Sequence, residues 1–138
     1  MIKISKSIIA IVLCTICLFS FSTAVFAAEN EGIMPCYENI SSATLQIGYS
    51  GSVGTVTATA TRQTGTTHMA GIVNVYHWEN NGWVFVDSFS KESTRNSLVI
   101  SEDFTAKKGH QYKAVFSITA TDATTVETDV LECVKTYN

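Results

Sequence analysis

The stretch GIVNVYHWENNGWVFVDSF, residues 71–89, decides the fold. Apolar and polar side chains alternate along both of its arms, which is the period of extended chain rather than of helix. Between the arms, Asn81-Gly82 predicts a two-residue type I′ turn, whose central residues both need positive φ. That register sets His77 opposite Val86, Trp78 opposite Phe85 and Val75 opposite Ser88. It puts Tyr76, Trp78 and Phe85 on one face, with Phe89 just beyond, and Val73, Val75, Val84 and Val86 on the other. Both faces are apolar enough to be core, so two readings stay open. With the valines inward, an aromatic stripe is left outside, and a contiguous exposed apolar patch marks an interaction site. A flat aromatic surface of that kind suits sugar rings or a partner protein. With the aromatics inward, they are the core and the valines edge filler; a bulge would let both contribute. Trp83, directly after the turn glycine, is partly exposed on either reading. Tyr76, Trp78, Trp83 and Phe85 are therefore the candidate binding residues.

Working outward, the same period continues. In ATLQIGYSG, Leu45, Ile47 and Tyr49 share a face, and in VTATATR, Val56, Ala58 and Ala60 oppose Thr55, Thr57, Thr59 and Thr61. Alternating β-branched polar and small apolar residues fit a half-buried strand. Gly51 and Gly54 bracket a tight turn between these two segments. SLVISEDF predicts a fifth strand. HQYKAVFSITA predicts a sixth with Tyr112, Ala114, Phe116, Ile118 and Ala120 facing inward, and a seventh runs from about Val126 to Tyr137. Seven short strands with turns at this spacing predict an all-β, seven-stranded antiparallel β-sandwich. The glycine three residues before Tyr112 suggests a corner in which the phenol bonds back to nearby backbone.

On these segments the chain resembles the immunoglobulin and fibronectin type III sandwiches. More narrowly, YENISSATLQI, the NNGW hairpin and GHQYKAVFSITAT are similar to a family of small secreted proteins of Gram-positive bacteria (Firmicutes) of unknown function. The likeness spans roughly Tyr37 to Tyr137. It implies the fold and carries no catalytic residues with it.

The N-terminus reads as an address. Lys3 and Lys6, an apolar run from Ile8 to Phe21 and the small residues of STAVFAA have the order of a secretory signal peptide. The run is shorter than the roughly 20 residues of a membrane span. Cleavage after Ala27 is expected, which makes residues 1–27 the signal peptide, 28–41 an N-terminal segment and 42–138 the sandwich domain. Leu13 and Ile16 precede Cys14 and Cys17 where a lipoprotein site would need small residues. Removing 27 of 138 residues leaves 111, and losing Lys3 and Lys6 moves the formal charge from −3 to −5. A mildly acidic chain without basic clusters argues against nucleic acid and anionic membranes as partners.

Two cysteines remain, Cys36 and Cys133, and in an oxidising compartment they predict an intramolecular disulfide. Chain entropy gives a loop of that size a ceiling of about 4.7 kcal/mol. Free thiols or pairing between molecules are the alternatives; two isolated cysteines make only half a zinc site. Reversal at every connection leaves the first and last strands parallel, with Cys133 some seven residues into the last. That offset is roughly 20 Å, against the 7 Å or so between Cα atoms that a disulfide tolerates. A bond therefore requires residues 36–41 to fold back along the last strand.

Catalytic chemistry finds little purchase. His68, His77 and His110 have no partner at ligand spacing, and no GxSxG elbow raises one serine above the rest. Asp122, Glu127 and Asp129 flank one turn, yet the calcium-loop pattern is absent. Glu102 and Asp103 point to opposite faces of a strand. The first strand lacks the lysine that an isopeptide cross-link would need. No sortase-type tail follows, so any wall attachment is expected to be non-covalent or through a partner. The expectation is a secreted, monomeric, non-catalytic binding or adhesion module, without cofactor or metal, acting on an extracellular protein or polysaccharide. A carbohydrate-binding module using the aromatic hairpin, and a secreted inhibitor or bacteriocin-like antagonist, are the competing readings.

Overall fold

A computed structural model describes residues 38–138. The leader, its cleavage site and Cys36 lie outside the described residues. The described chain is seven antiparallel strands: β1 (Ile40–Ser50), β2 (Val53–Arg62), β3 (His68–Glu79), β4 (Gly82–Ser93), β5 (Ser97–Thr105), β6 (Gln111–Thr121) and β7 (Val126–Thr136). They form two sheets, ordered β1-β2-β5 and β4-β3-β6-β7. β1 begins at Ile40, two residues ahead of the expected boundary at 42, because Ile40 already pairs with Arg62 and is fully buried.

The alternation read from sequence is the alternation of burial. Leu45 and Ile47, then Val56, Ala58 and Ala60, line one inner face; Val73, Val75, Tyr112, Ala114, Phe116, Ile118 and Ala120 line the other. Gly71 leaves room for Phe116 and Leu98, whose side chains an added Cβ would meet at 2.8 and 3.0 Å, so large and small residues interdigitate. Gly54 makes room of the same kind. It is paired with Phe104, and a Cβ at this position would lie 2.3 Å from the ring's Cζ.

Both ends of the sandwich are tied. Tyr112 is buried, and its phenol oxygen accepts the backbone N–H of Lys107 at 2.9 Å, the corner anticipated from Gly109. Nearby, Tyr49 and Tyr137 stack at 4.5 Å; Tyr49 donates to the Lys135 carbonyl and Tyr137 to that of Gly51. Burial pushes the Tyr49 phenol well above its ordinary value, so it remains a donor.

At the other end Asn39 is a buried polar node. Its backbone N–H donates to the Glu127 carboxylate at 2.7 Å, and its amide Nδ2 to Thr125 Oγ1 at 3.0 Å. The buried Thr66 hydroxyl donates to the Asn39 carbonyl at 2.9 Å. One residue thus joins the entry to β1, the β2–β3 connection and the start of β7. The fold-back of residues 36–41 that a Cys36–Cys133 bond would require begins outside the described residues. Asn39 is held beside Thr125 and Glu127, toward the end of β7 remote from Cys133, and pairing with β2 starts at once.

The hairpin register differs from the sequence reading. Asn80 and Asn81 are the turn residues, with φ of 50° and 63°, and Gly82 is the first residue of β4. Asparagine tolerates the left-handed region well enough to fill both central positions. The pairs are therefore Trp78 with Trp83, His77 with Val84 and Tyr76 with Phe85. Moving the turn by one residue changes every partner by two places, which preserves the face each side chain occupies. Beyond Tyr76 a bulge at Val86 adds one residue to β4, and Val75 pairs with Asp87. That odd step reverses the facing of the later β4 residues, so Phe89 packs against the core instead of extending the outer aromatic row.

Candidate binding face

The hairpin resolves the choice between its two faces. Val73 and Val75 are fully buried. Their neighbours in alternation, Tyr76 and Trp78, point out of the sandwich, and the cross-strand partners Phe85 and Trp83 stand beside them. All four candidate residues are therefore brought together on one outer surface, with Trp78 43 % and Phe85 57 % exposed. Val84, expected on the inner valine face, is also exposed.

Ring geometry limits what this surface can do. Trp78 and Trp83 meet at 5.2 Å with planes 71° apart, and Tyr76 and Phe85 at 6.0 Å with planes 77° apart. Both are edge-to-face pairs, the arrangement that ring quadrupoles favour. They make a ridged apolar surface, not the flat one anticipated from sequence.

Next to β3 lies β6, and Tyr76 pairs there with Lys113. The Lys113 ammonium stands 4.8 Å from the centre of the Trp83 ring and 5.5 Å from that of Tyr76, with Glu132 Oε2 at 3.9 Å. A cation over ring faces is held electrostatically, so Lys113 fixes the two rings while its stem covers apolar surface. Sequence reasoning missed this residue, because nothing in HQYKAVF marks which neighbouring strand it faces.

The apolar character continues across the sheet. Ile72, Val126, Val130 and Val134 are exposed. The outer face of the three-stranded sheet has the opposite character. It carries Thr55, Thr57 and Thr59 beside Ser101 and Asp103, with Thr55 donating to Asp103 at 2.6 Å. Among the described residues the three-stranded sheet exposes two large apolar side chains, Val53 and Val99, against seven on the four-stranded sheet.

The other candidate chemistry is spent on structure. His68 meets Glu92 at 3.4 Å and His77 meets Glu79 at 3.0 Å. His77 and His110, distant in sequence, come within 6.2 Å. Asp122 accepts the N–H groups of Thr124 and Thr125, which close the β6–β7 turn and hold its carboxyl down at about 2. Glu127 is engaged by Asn39, and Asp129 accepts the Val130 N–H at 2.6 Å. The three carboxylates suggested for calcium thus each serve a different backbone amide. Among the described residues no group of three or more His, Cys, Asp or Glu is placed to hold a metal ion. Cys133 is buried in β7 opposite Ala114.

The chain matches no protein-family model, no curated protein and no solved structure.

Proposed function

We propose that this protein is a secreted, non-catalytic binding or adhesion module of the immunoglobulin and fibronectin type III-like class. Its contact surface is the aromatic end of the four-stranded sheet. One observation carries the reading: Tyr76, Trp78, Trp83 and Phe85 are gathered on an outer face, Trp78 and Phe85 exposed and Tyr76 and Trp83 half-buried, around a lysine held over two of the rings. Leaving that much apolar surface in water favours a partner that covers it. The strand order, with β1-β2-β5 against β4-β3-β6-β7, supports the class. The signal-like leader and the resemblance to small Gram-positive secreted proteins support export.

The ridged surface favours a protein partner, since steeply tilted rings interdigitate with side chains better than they stack on a row of sugars. A carbohydrate ligand is the second reading. It is supported by Lys113 and Glu132, which place charged hydrogen-bonding groups beside the rings where hydroxyls would sit.

Adsorption to intact Gram-positive cells tests both. The purified protein and its Trp78→Ala/Trp83→Ala variant are applied to untreated, protease-treated and periodate-oxidised cells. Binding lost after protease and lost in the variant, at unchanged melting temperature, supports the protein partner. Binding lost only after periodate supports the sugar. Equal adsorption of variant and parent refutes the site.

A further inference from the structure

The free edge of β7 carries a pattern that is complementary to itself. Among the described residues β7 lies at the end of the four-stranded sheet, bonded to β6 alone within that sheet. Residues along an antiparallel strand direct their backbone groups alternately to either side. The Val130 N–H is taken by the neighbouring Asp129 carboxylate rather than by β6, which shows that the even-numbered residues face the open edge. Their side chains lie on the outer face and read Val126, Thr128, Val130, Glu132, Val134. The valines are 68, 55 and 40 % exposed.

We propose that two copies of this chain pair antiparallel through β7, about a two-fold axis at Val130. This register sets Val130 against Val130, each Val126 against the partner's Val134, and each Thr128 against the partner's Glu132. Every valine then meets a valine, and no carboxylate faces another. Shifting the register by one pairing step in either direction sets a valine against Glu132, and a further step one way opposes Glu132 to itself. Like charges directly opposite each other destabilise a sheet, whereas β-branched pairs stabilise it. The contact is isologous and closes on itself, so it yields a dimer and not a fibre.

Asp129 regulates the pairing. Its carboxylate occupies the central amide of the edge, and an inward-pointing charge of this kind is a recognised guard against unwanted strand addition. The dimer forms when that bond is exchanged for one to the second copy, so association is weak and concentration-dependent. The expected monomer is then the dilute form. Edge pairing keeps corresponding faces on one side, so the dimer joins the two outer faces into one eight-stranded surface. If the aromatic ends are the contact surface, they bind there as a pair.

Sedimentation velocity under reducing conditions, across a wide concentration range, tests this directly. The parent protein should show a monomer–dimer equilibrium. Val130→Lys and Val130→Glu should each weaken association at least tenfold, and an equimolar mixture of the two should restore it, a result that misfolding does not produce. Asp129→Ala should tighten it. A parent that stays monomeric at every concentration, a Val130→Lys variant that still dimerises, or a mixture that fails to associate overturns the proposal.

Discussion

Replacing Gly54 with alanine should destabilise the protein, and removing Phe104 should reverse the sign of that effect. Gly54 sits in β2 directly opposite Phe104 of β5. An added Cβ would approach ring carbons Cζ, Cε2 and Cε1 at 2.3, 2.6 and 2.8 Å, well inside contact distance. The ring cannot simply swing away, because it is buried and lies 5.3 Å from the Tyr112 ring. Overpacking of this kind costs about 1–3 kcal/mol. Against it stands a gain of about 0.5–1 kcal/mol, because alanine loses less backbone freedom than glycine on folding. The net expectation is a loss of about 1–2 kcal/mol, or a melting-point drop of roughly 4–12 °C for a domain of this size. In a Phe104→Ala background the clash is gone and only the entropic gain remains, so the same substitution should become neutral or stabilising. Urea unfolding of the four proteins gives the coupling as a double-mutant cycle. A Gly54→Ala variant as stable as the parent, or equally costly in both backgrounds, would refute the packing argument.

Three further outcomes follow from the ends of the sandwich. Asn39→Ala removes side-chain bonds to Thr125 and Thr66 inside a buried node and should cost about 1–3 kcal/mol in chemical denaturation; an unchanged midpoint contradicts the node. Asp122 has its pKa lowered from 3.8 to about 2, first by the Thr124 and then by the Thr125 backbone amide. Its contribution is therefore complete above the unfolded value and is lost as pH falls through the folded one. The stability gap between the parent and Asp122→Ala should be constant near neutral pH and close on acidification through that window; a gap that widens there contradicts the assignment. A Cys36–Cys133 bridge must span from Asn39, held beside Glu127, to a residue six places further along β7, about 20 Å away. The three residues from Asn39 to Cys36 reach at most about 11 Å. Closing the bridge in one chain is thus expected to break the Asn39 contacts and return less than the ceiling of about 4.7 kcal/mol. Intact mass without reductant, followed by denaturation with and without it, measures both; two freely alkylated thiols would exclude the bridge.

The parts of the fold that sequence revealed are those where one residue's neighbours in the chain decide its environment. Thr-Ala alternation in β2 and the Tyr112 to Ala120 row in β6 carry their burial pattern openly. The hairpin did so only in part. Asn80, Asn81 and Gly82 all accept positive φ, so local chemistry allowed the turn at either of two positions, and long-range pairing chose. Nothing in VFVDS announces the bulge at Val86, which shows only in the pairing of β4 with β3. Asn39 reads as an ordinary polar residue ahead of a strand, since its partners lie 86 and 88 residues away. The binding face was legible as a set of residues but not as a surface. Lys113 joins it from β6, and the choice between valines and aromatics is made by the opposing sheet.

The outward placement of Tyr76, Trp78, Trp83 and Phe85 underlies the proposed function, and the chain's two tryptophans both belong to that cluster. Acrylamide quenching of tryptophan fluorescence therefore tests it with no ligand in hand. A folded protein with these rings in solvent should show a red-shifted emission and a quenching constant of the same order as its urea-unfolded form. A blue-shifted emission protected from quencher, exposed only on unfolding, would place the aromatics in the core and contradict the binding face.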